Sequence, residues 1–256
     1  MLGYHVFSIP KKNGKRRIIK EPCESIKNMQ YAILDRLENI PLSKYAHGFV
    51  PGRDIVTNAM QHRQRRYVLN VDIENFFPSI KPGLMRYCLG RYCSEEEVQW
   101  IMAVCFWEGA LPQGAPTSPV LANIYLEDMD YILGDVSEGG GWSYTRYADD
   151  LTISGDDSIK ERLPHILELI DHWLKRYGLL RNQKKTKLMP YFQRQVVTGI
   201  VVNNERLTLS RKIKESLYLN YKGKLASLLT EEEKGYLEHV RHVDPKAYEK
   251  ICSVMI

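Results

Sequence analysis

The stretch Trp142–Gly155 reads Trp-Ser-Tyr-Thr-Arg-Tyr-Ala-Asp-Asp-Leu-Thr-Ile-Ser-Gly and constrains the fold more than any other. Two β-prone runs, Trp142 to Tyr147 and Leu151 to Ser154, flank Ala148-Asp149-Asp150, which predicts a hairpin with adjacent carboxylates at its tip. Like charges this close raise at least one carboxyl pKa unless a cation sits there, and hard oxygen donors suit a divalent ion such as magnesium. An isolated Asp-Asp reads better as a solvated acidic turn. A third carboxylate at the end of another strand reverses that reading. Tyr67-Val68-Leu69-Asn70-Val71-Asp72-Ile73 supplies it, a mostly apolar strand whose one acid is Asp72.

The 256 residues suffice for one large domain or two small ones, and 44% apolar with 26% charged residues is ordinary for a globular chain. A net charge of +5 permits a nucleic-acid partner without requiring one. The five cysteines, Cys23, Cys88, Cys93, Cys105 and Cys252, form no Cys-x-x-Cys pair and read as reduced thiols of a cytoplasmic protein. No segment reaches membrane-spanning length, and no signal run opens the chain.

In chain order, Val6–Pro10 and Ile18-Ile19 read as a hairpin whose turn, Lys11 to Arg17, is strongly basic. It can grip phosphates or stand solvated, and the segment alone does not separate the two. Helical spacing covers 24–37, and a second helix is expected over 55–65. A long helical region follows over 82–107, with Glu95-Glu96-Glu97 as a solvated first turn. The loop 111–119 opens another helix, with Ser118 as cap and Pro119 in the first turn. Apolar residues from Ile159 to Tyr177 step by four and three, and Gly178 ends that helix. Further strands fall around 179–202, then a basic helical tail over 211–229 and 231–240.

Asp72, Asp149 and Asp150 on neighbouring strands would build a two-metal site for phosphoryl transfer, activating a 3′-hydroxyl and stabilising a leaving pyrophosphate. Lys11 and Arg17 would hold a triphosphate, and Lys185 could protonate the pyrophosphate. With these elements in order, the chain resembles the reverse transcriptases from about Phe7 to Val202. Val-Asp-Ile-Glu-Asn-Phe-Phe-Pro-Ser around Asp72 resembles their first catalytic element. The loop carrying Gln113 resembles their template and nucleotide loop, Tyr-Ala-Asp-Asp their active-site hairpin, and Asn-Gln-Lys-Lys-Thr their lysine element. The resemblance implies an α+β right-hand polymerase fold. Its fingers and palm, an antiparallel sheet with helices, would cover 1–205, and a small helical thumb 206–256. It implies two magnesium ions (Mg2+) on Asp72 and Asp149, with the Ile73 carbonyl and Asp150 in support. dNTPs would be the substrates and DNA the product. By position Phe77 matches the aromatic gate that rejects a 2′-hydroxyl, whereas Phe76 reads as core.

Two further elements resemble the bacterial retron enzymes. Asn58-Ala59-Met60-Gln61-His62 matches their Asn-Ala-x-x-His element, and Val197-Thr198-Gly199 their Val-Thr-Gly element. That branch copies part of a structured noncoding RNA, priming from a guanosine 2′-hydroxyl to give RNA-linked DNA. Many members serve with an effector protein in anti-phage defence. Asn58, His62 and Val197–Gly199 are therefore expected to position the RNA partner; the alternative is that Asn58 and His62 brace a helix against the palm. The rival functions are another bacterial reverse transcriptase, an RNA-dependent RNA polymerase, which Phe77 opposes, and a catalytically silent RNA-binding scaffold, which the intact Asp72, Asp149, Asp150, Gln113 and Lys185 oppose. No maturase, integrase or endonuclease module is visible.

Overall fold

A computed structural model describes residues 3–10, 14 and 16–256. Strands β1 (Tyr4–Pro10) and β2 (Arg16–Pro22) pair antiparallel, from Tyr4 opposite Pro22 to Pro10 opposite Arg16. Lys11 lies outside the described residues. Helix α1 (Glu24–Leu37) buries Ile26, Gln30, Ile33 and Leu37, the stripe that its spacing of four and three produces. The short α2 (Ile55–Met60) starts on a capping box: Asp54 accepts from the Val56 and Thr57 amides, and Thr57 Oγ1 accepts from the Asp54 amide. It ends at Met60 rather than 65, and Gln64 beyond it is left-handed at φ 55°.

β3 (Tyr67–Asp72) leads through left-handed Asn75 into α3 (Phe76–Ser79). The expected long helix is two helices, α4 (Pro82–Leu89) and α5 (Glu95–Cys105). Gly90 ends the first, and Ser94 begins the second by exchanging hydrogen bonds with Glu97. α6 (Ser118–Gly139) runs beneath the hairpin of β4 (Ser143–Tyr147) and β5 (Asp150–Gly155). Its cap position is Thr117. Ser118 does not cap; its hydroxyl donates to the Pro112 carbonyl at 2.7 Å and pins the loop. α7 (Ser158–Glu161) and α8 (Leu163–Arg176) follow, and Gly178 turns the chain at φ 67°.

With β6 (Lys187–Pro190) the palm sheet is complete, antiparallel in the order β4-β5-β3-β6. Buried apolar residues from α1, α4, α5, α6, α8 and the sheet make the main core, each large aliphatic worth about 1.5–3 kcal/mol. A second core joins Ala59, Val68 and Met189 to the rest of the chain: β7 (Val196–Val197), β8 (Ile200–Val201), β9 (Thr208–Leu209), α9 (Arg211–Tyr221), α10 (Glu231–Val243) and α11 (Pro245–Cys252). β8 pairs with β9 across residue 205, so one small sheet straddles the boundary expected for the thumb. No helix among the described residues is long and apolar enough to cross a membrane.

Candidate active site

Antiparallel pairing of β3 with β5 sets Asp72 opposite Asp150, and directly opposed residues point to the same face. Asp149 sits at the turn, where its carbonyl accepts from the Ile73 amide at 2.9 Å. Three carboxylates thus collect at one end of the palm sheet. Asp72 is 6% exposed, and its Oδ2 accepts from Lys185 Nζ at 2.6 Å. Burial raises the Asp149 pKa, the Asp72 charge adds to this, and Lys185 and Arg17 oppose it. Burial and the charges of Asp149 and Asp72 push Asp150 up to about 7, although the residue is exposed to water, which moderates the effect. Lys185 is shifted down by burial and up, on balance, by its bond to Asp72, so it stays protonated.

Among the described residues, no group of three or more His, Cys, Asp or Glu side chains is arranged to hold a metal ion. Lys185 occupies one oxygen of Asp72. The donor chemistry nevertheless suits a hard divalent cation: the oxygen donors of Asp72, Asp149 and Asp150 gather at one end of the sheet, and burial with neighbouring negative charge raises the pKa of Asp149 and Asp150.

The turn itself is strained and braced. Ala148 is left-handed at φ 55°, unusual for a residue with a Cβ. Gly48 packs so close that a Cβ there would lie 2.5 Å from the Ala148 amide nitrogen. Arg146 Nη1 donates to the Ala148 carbonyl at 3.1 Å and to Asn123 Oδ1 at 3.0 Å, and Asn123 Nδ2 donates to the Gly48 carbonyl at 2.9 Å. Arg146 is fully buried and bonds Asp130 through two nitrogens, Nε to Oδ1 at 2.9 Å and Nη2 to Oδ2 at 2.7 Å; Tyr144 OH also donates to Asp130. Removing one partner of such a pair leaves a buried charge and costs about 3–5 kcal/mol. Sequence reasoning missed this network. Its signal was Asn123 and Asp130, two polar residues among the buried apolar ones of α6.

Around the carboxylates, the Lys20 amide of β2 donates to the Gln113 carbonyl at 2.8 Å. A Cβ on Gly114, at φ 124°, would lie 2.8 Å from Ile19 Cγ2, so only glycine lets the loop press on β2. Phe77 is half-buried and packs on Phe76, which is 5% exposed in the core. Phe77, Phe49, Tyr31, Lys27 and Gly114 line an open cavity of about 320 Å³.

The Asn58–His62 element lies differently from the direct RNA contact expected of it. Because α2 ends at Met60, the two side chains do not share a helical face. His62 is fully buried and spends both ring nitrogens, Nδ1 on Ser154 Oγ and Nε2 on Thr145 Oγ1, each at 2.7 Å. Burial pushes its pKa down to about 3. Asn58, 1% exposed, donates to Thr198 Oγ1 at 3.3 Å, and Thr198 donates to the Ile55 carbonyl at 3.2 Å. Val197 is fully buried, and a Cβ on Gly199 would collide with Ile213 of α9. The two elements therefore meet each other, and Gly199 packs them against α9. Burial leaves His62 and Val197 no surface for RNA.

The family model described as reverse transcriptase (RNA-dependent DNA polymerase) matches residues 9–219. The chain belongs to the reverse transcriptase family, in its retron branch. It is 33% identical to the retron Mx65 reverse transcriptase of Myxococcus xanthus over 97% of its length and 63% of that protein's. It is 27% identical to the retron Ec86 reverse transcriptase of Escherichia coli (98% and 79%) and 30% identical to the Ec73 enzyme of the same organism (96% and 84%). Among solved structures, telomerase from Candida albicans in complex with a telomeric RNA fragment superposes with TM-score 0.63 at 10% identity, over 99% of this chain and 56% of that one. The foamy viral protease-reverse transcriptase gives 0.51 at 19% identity, over 94% and 35%. These structures share the right-hand polymerase fold.

Proposed function

We infer that this chain is an RNA-directed DNA polymerase of retron type, which copies part of a structured noncoding RNA into RNA-linked single-stranded DNA. The observation that carries the chemistry is the carboxylate cluster, in which Asp150 is pushed up to about 7 beside Asp149 and Asp72. Two magnesium ions held by Asp72, Asp149 and the Ile73 carbonyl, with Asp150 in support, would supply Lewis acidity for the attacking hydroxyl and the leaving pyrophosphate. Arg17, whose charge reaches Asp149, grips the triphosphate of an incoming dNTP together with Lys11. Gln113 holds nucleotide and template from a loop clamped to β2. Phe77 closes the sugar side, where a 2′-hydroxyl would collide. Lys185 leaves Asp72 to protonate the pyrophosphate. The retron relatives support an RNA template; the resemblance to that branch implies an RNA 2′-hydroxyl as first primer and an effector protein in anti-phage defence as the setting.

The test is to sequence the nucleic acid that copurifies with the chain and to repeat the preparation with Asp149→Asn. RNA-linked DNA in the wild type, lost in the variant at unchanged melting temperature, is expected. Nucleotide addition by the variant near the wild-type rate overturns the metal assignment. Wild-type DNA that is never joined to RNA overturns the retron mode and leaves the polymerase standing.

A further inference from the structure

Arg66 directly precedes β3 and Tyr191 directly follows β6, so both lie at the end of the palm sheet opposite Asp72 and Asp150. Five residue steps along β3 put about 17 Å between the two ends. At this far end Tyr191 is 52% and Phe192 71% exposed. Their rings meet edge to face at 5.6 Å, and the Arg66 guanidinium lies 5.0 Å over Tyr191. Arg65, Arg66, Tyr191, Gln64 and Asn203 line a cavity of about 320 Å³. Asp157 neutralises Arg66 at 2.7 Å. Among the described residues no carboxylate comes within ion-pair distance of Arg63, Arg65 or Arg194 of the same two segments.

The aromatic loop is held in a frame. The Tyr191 amide donates to the Arg66 carbonyl at 2.8 Å. Asn203 Nδ2 donates to the carbonyls of Tyr191 at 2.9 Å and Gln193 at 2.6 Å, and its Oδ1 accepts from the Gln195 amide at 3.1 Å. On the facing segment the Gln64 amide donates to the Val202 carbonyl at 3.0 Å. Two aromatics held out to water on a braced loop lose little further freedom when something stacks on them. Exposed aromatic faces beside arginines suit unpaired nucleic acid, where every base offers a π-face and every phosphate a bidentate acceptor.

We propose that this far end of the palm is a second RNA-binding surface that takes an unpaired loop of the partner RNA. Tyr191 and Phe192 stack on its bases, and Arg63, Arg65 and Arg194 hold the flanking phosphates. The surface anchors the RNA without occupying the end where nucleotides are added. Only the identity of that RNA rests on the retron-type reading above.

The experiment uses the full chain, a labelled RNA hairpin with an unpaired loop, and a blunt RNA duplex of the same stem. Phe192→Ala should weaken hairpin binding about tenfold, change duplex binding less than about twofold, and leave the salt dependence alone. Arg194→Ala should weaken binding and reduce the slope of log K against log salt by about one. Both residues are exposed, so melting temperature and extension of an annealed DNA primer on an RNA template should hold. Unchanged hairpin affinity in both variants overturns the proposal and points the surface toward a protein partner instead. Equal loss on hairpin and duplex in Phe192→Ala overturns the stacking role. A wild-type chain that binds the hairpin but adds no deoxynucleotide overturns the polymerase reading and leaves this surface standing.

Discussion

The hairpin tip at Ala148–Asp150 and the buried His62 are both polar and both packed on the palm sheet, yet their polar groups are satisfied in opposite ways. His62 gives each ring nitrogen a hydroxyl at 2.7 Å and is held neutral. At the tip, burial and neighbouring negative charge raise the pKa of Asp149 and Asp150, on a backbone turned left-handed at Ala148. A buried polar group with complete partners fixes a structure, whereas a cluster in want of a counter-charge stores the capacity to bind one. The two regions should therefore fail differently when altered.

The largest difference is expected from Asp72→Asn. It removes charge at constant size and should cut single-nucleotide addition on the order of a thousandfold, with the melting temperature kept. Activity within tenfold of wild type would erase the distinction from the catalytic side. His62→Ala should do the reverse. Losing a buried ring and two hydrogen bonds costs about 2–4 kcal/mol in a denaturant titration, with activity per folded molecule retained. A normal melting temperature with loss of RNA-primed product alone would restore the direct RNA role expected from the sequence.

His62 should also confer an acid sensitivity. Burial lowers the folded-state pKa of His62 to about 3 and of His47 to about 4, against 6.5 unperturbed. Between these values the unfolded chain binds more protons than the folded one, so stability rises with pH. The contribution is complete above about 6.5 and is lost as pH falls toward about 3, on the order of a few kcal/mol for fully enclosed His62. Denaturation midpoints from pH 7 down to 4 should fall less steeply in His62→Leu than in wild type; parallel curves would contradict the burial argument.

What could be read in the sequence follows the same divide. Asp72, Asp149 and Asp150 were legible as candidates because an Asp-Asp pair and the one acid of an apolar strand are local signals; the register that opposes Asp72 to Asp150 is a property of the fold. The brace beneath them was not. Arg146 and Asp130 lie sixteen residues apart on different elements, and Gly48 meets Ala148 only in the fold. The Asn58–His62 reading failed on a boundary: four residues share a face only if the helix continues, and α2 stops at Met60. The break between α4 and α5 was visible in Gly90 and in the Ser94–Glu97 box, which starts a new helix at the acidic turn 95–97.

Phe77 tests the comparison within one dipeptide. Phe76 is core, so Phe76→Ala should cost about 3–5 kcal/mol of stability. Phe77 faces the cavity it shares with Phe49 and Gly114. Phe77→Ala should cost less stability and lower discrimination against ribonucleotides by about tenfold, read from paired single-nucleotide additions of a dNTP and its NTP. Unchanged discrimination would make Phe77 a second core residue.

The smallest effect is expected at Arg17, which tests whether the fingers belong to the charge-hungry end. Arg17 lies on β2, exposed, and two positions on, Ile19 lies against Gly114, beside Gln113. Its charge opposes the rise of the Asp149 pKa, which puts Arg17 within electrostatic reach of the carboxylates. A guanidinium there can meet a triphosphate on two oxygens, and water limits what the contact is worth. Arg17→Ala should raise the KM for dNTP several-fold, about threefold to tenfold, with kcat and template affinity nearly unchanged. Arg17→Lys should recover only part of this, because an ammonium makes no forked contact. If RNA affinity collapses while the KM holds, Arg17 grips the template, and the triphosphate must be held by other cations of the site, Lys185 first among them.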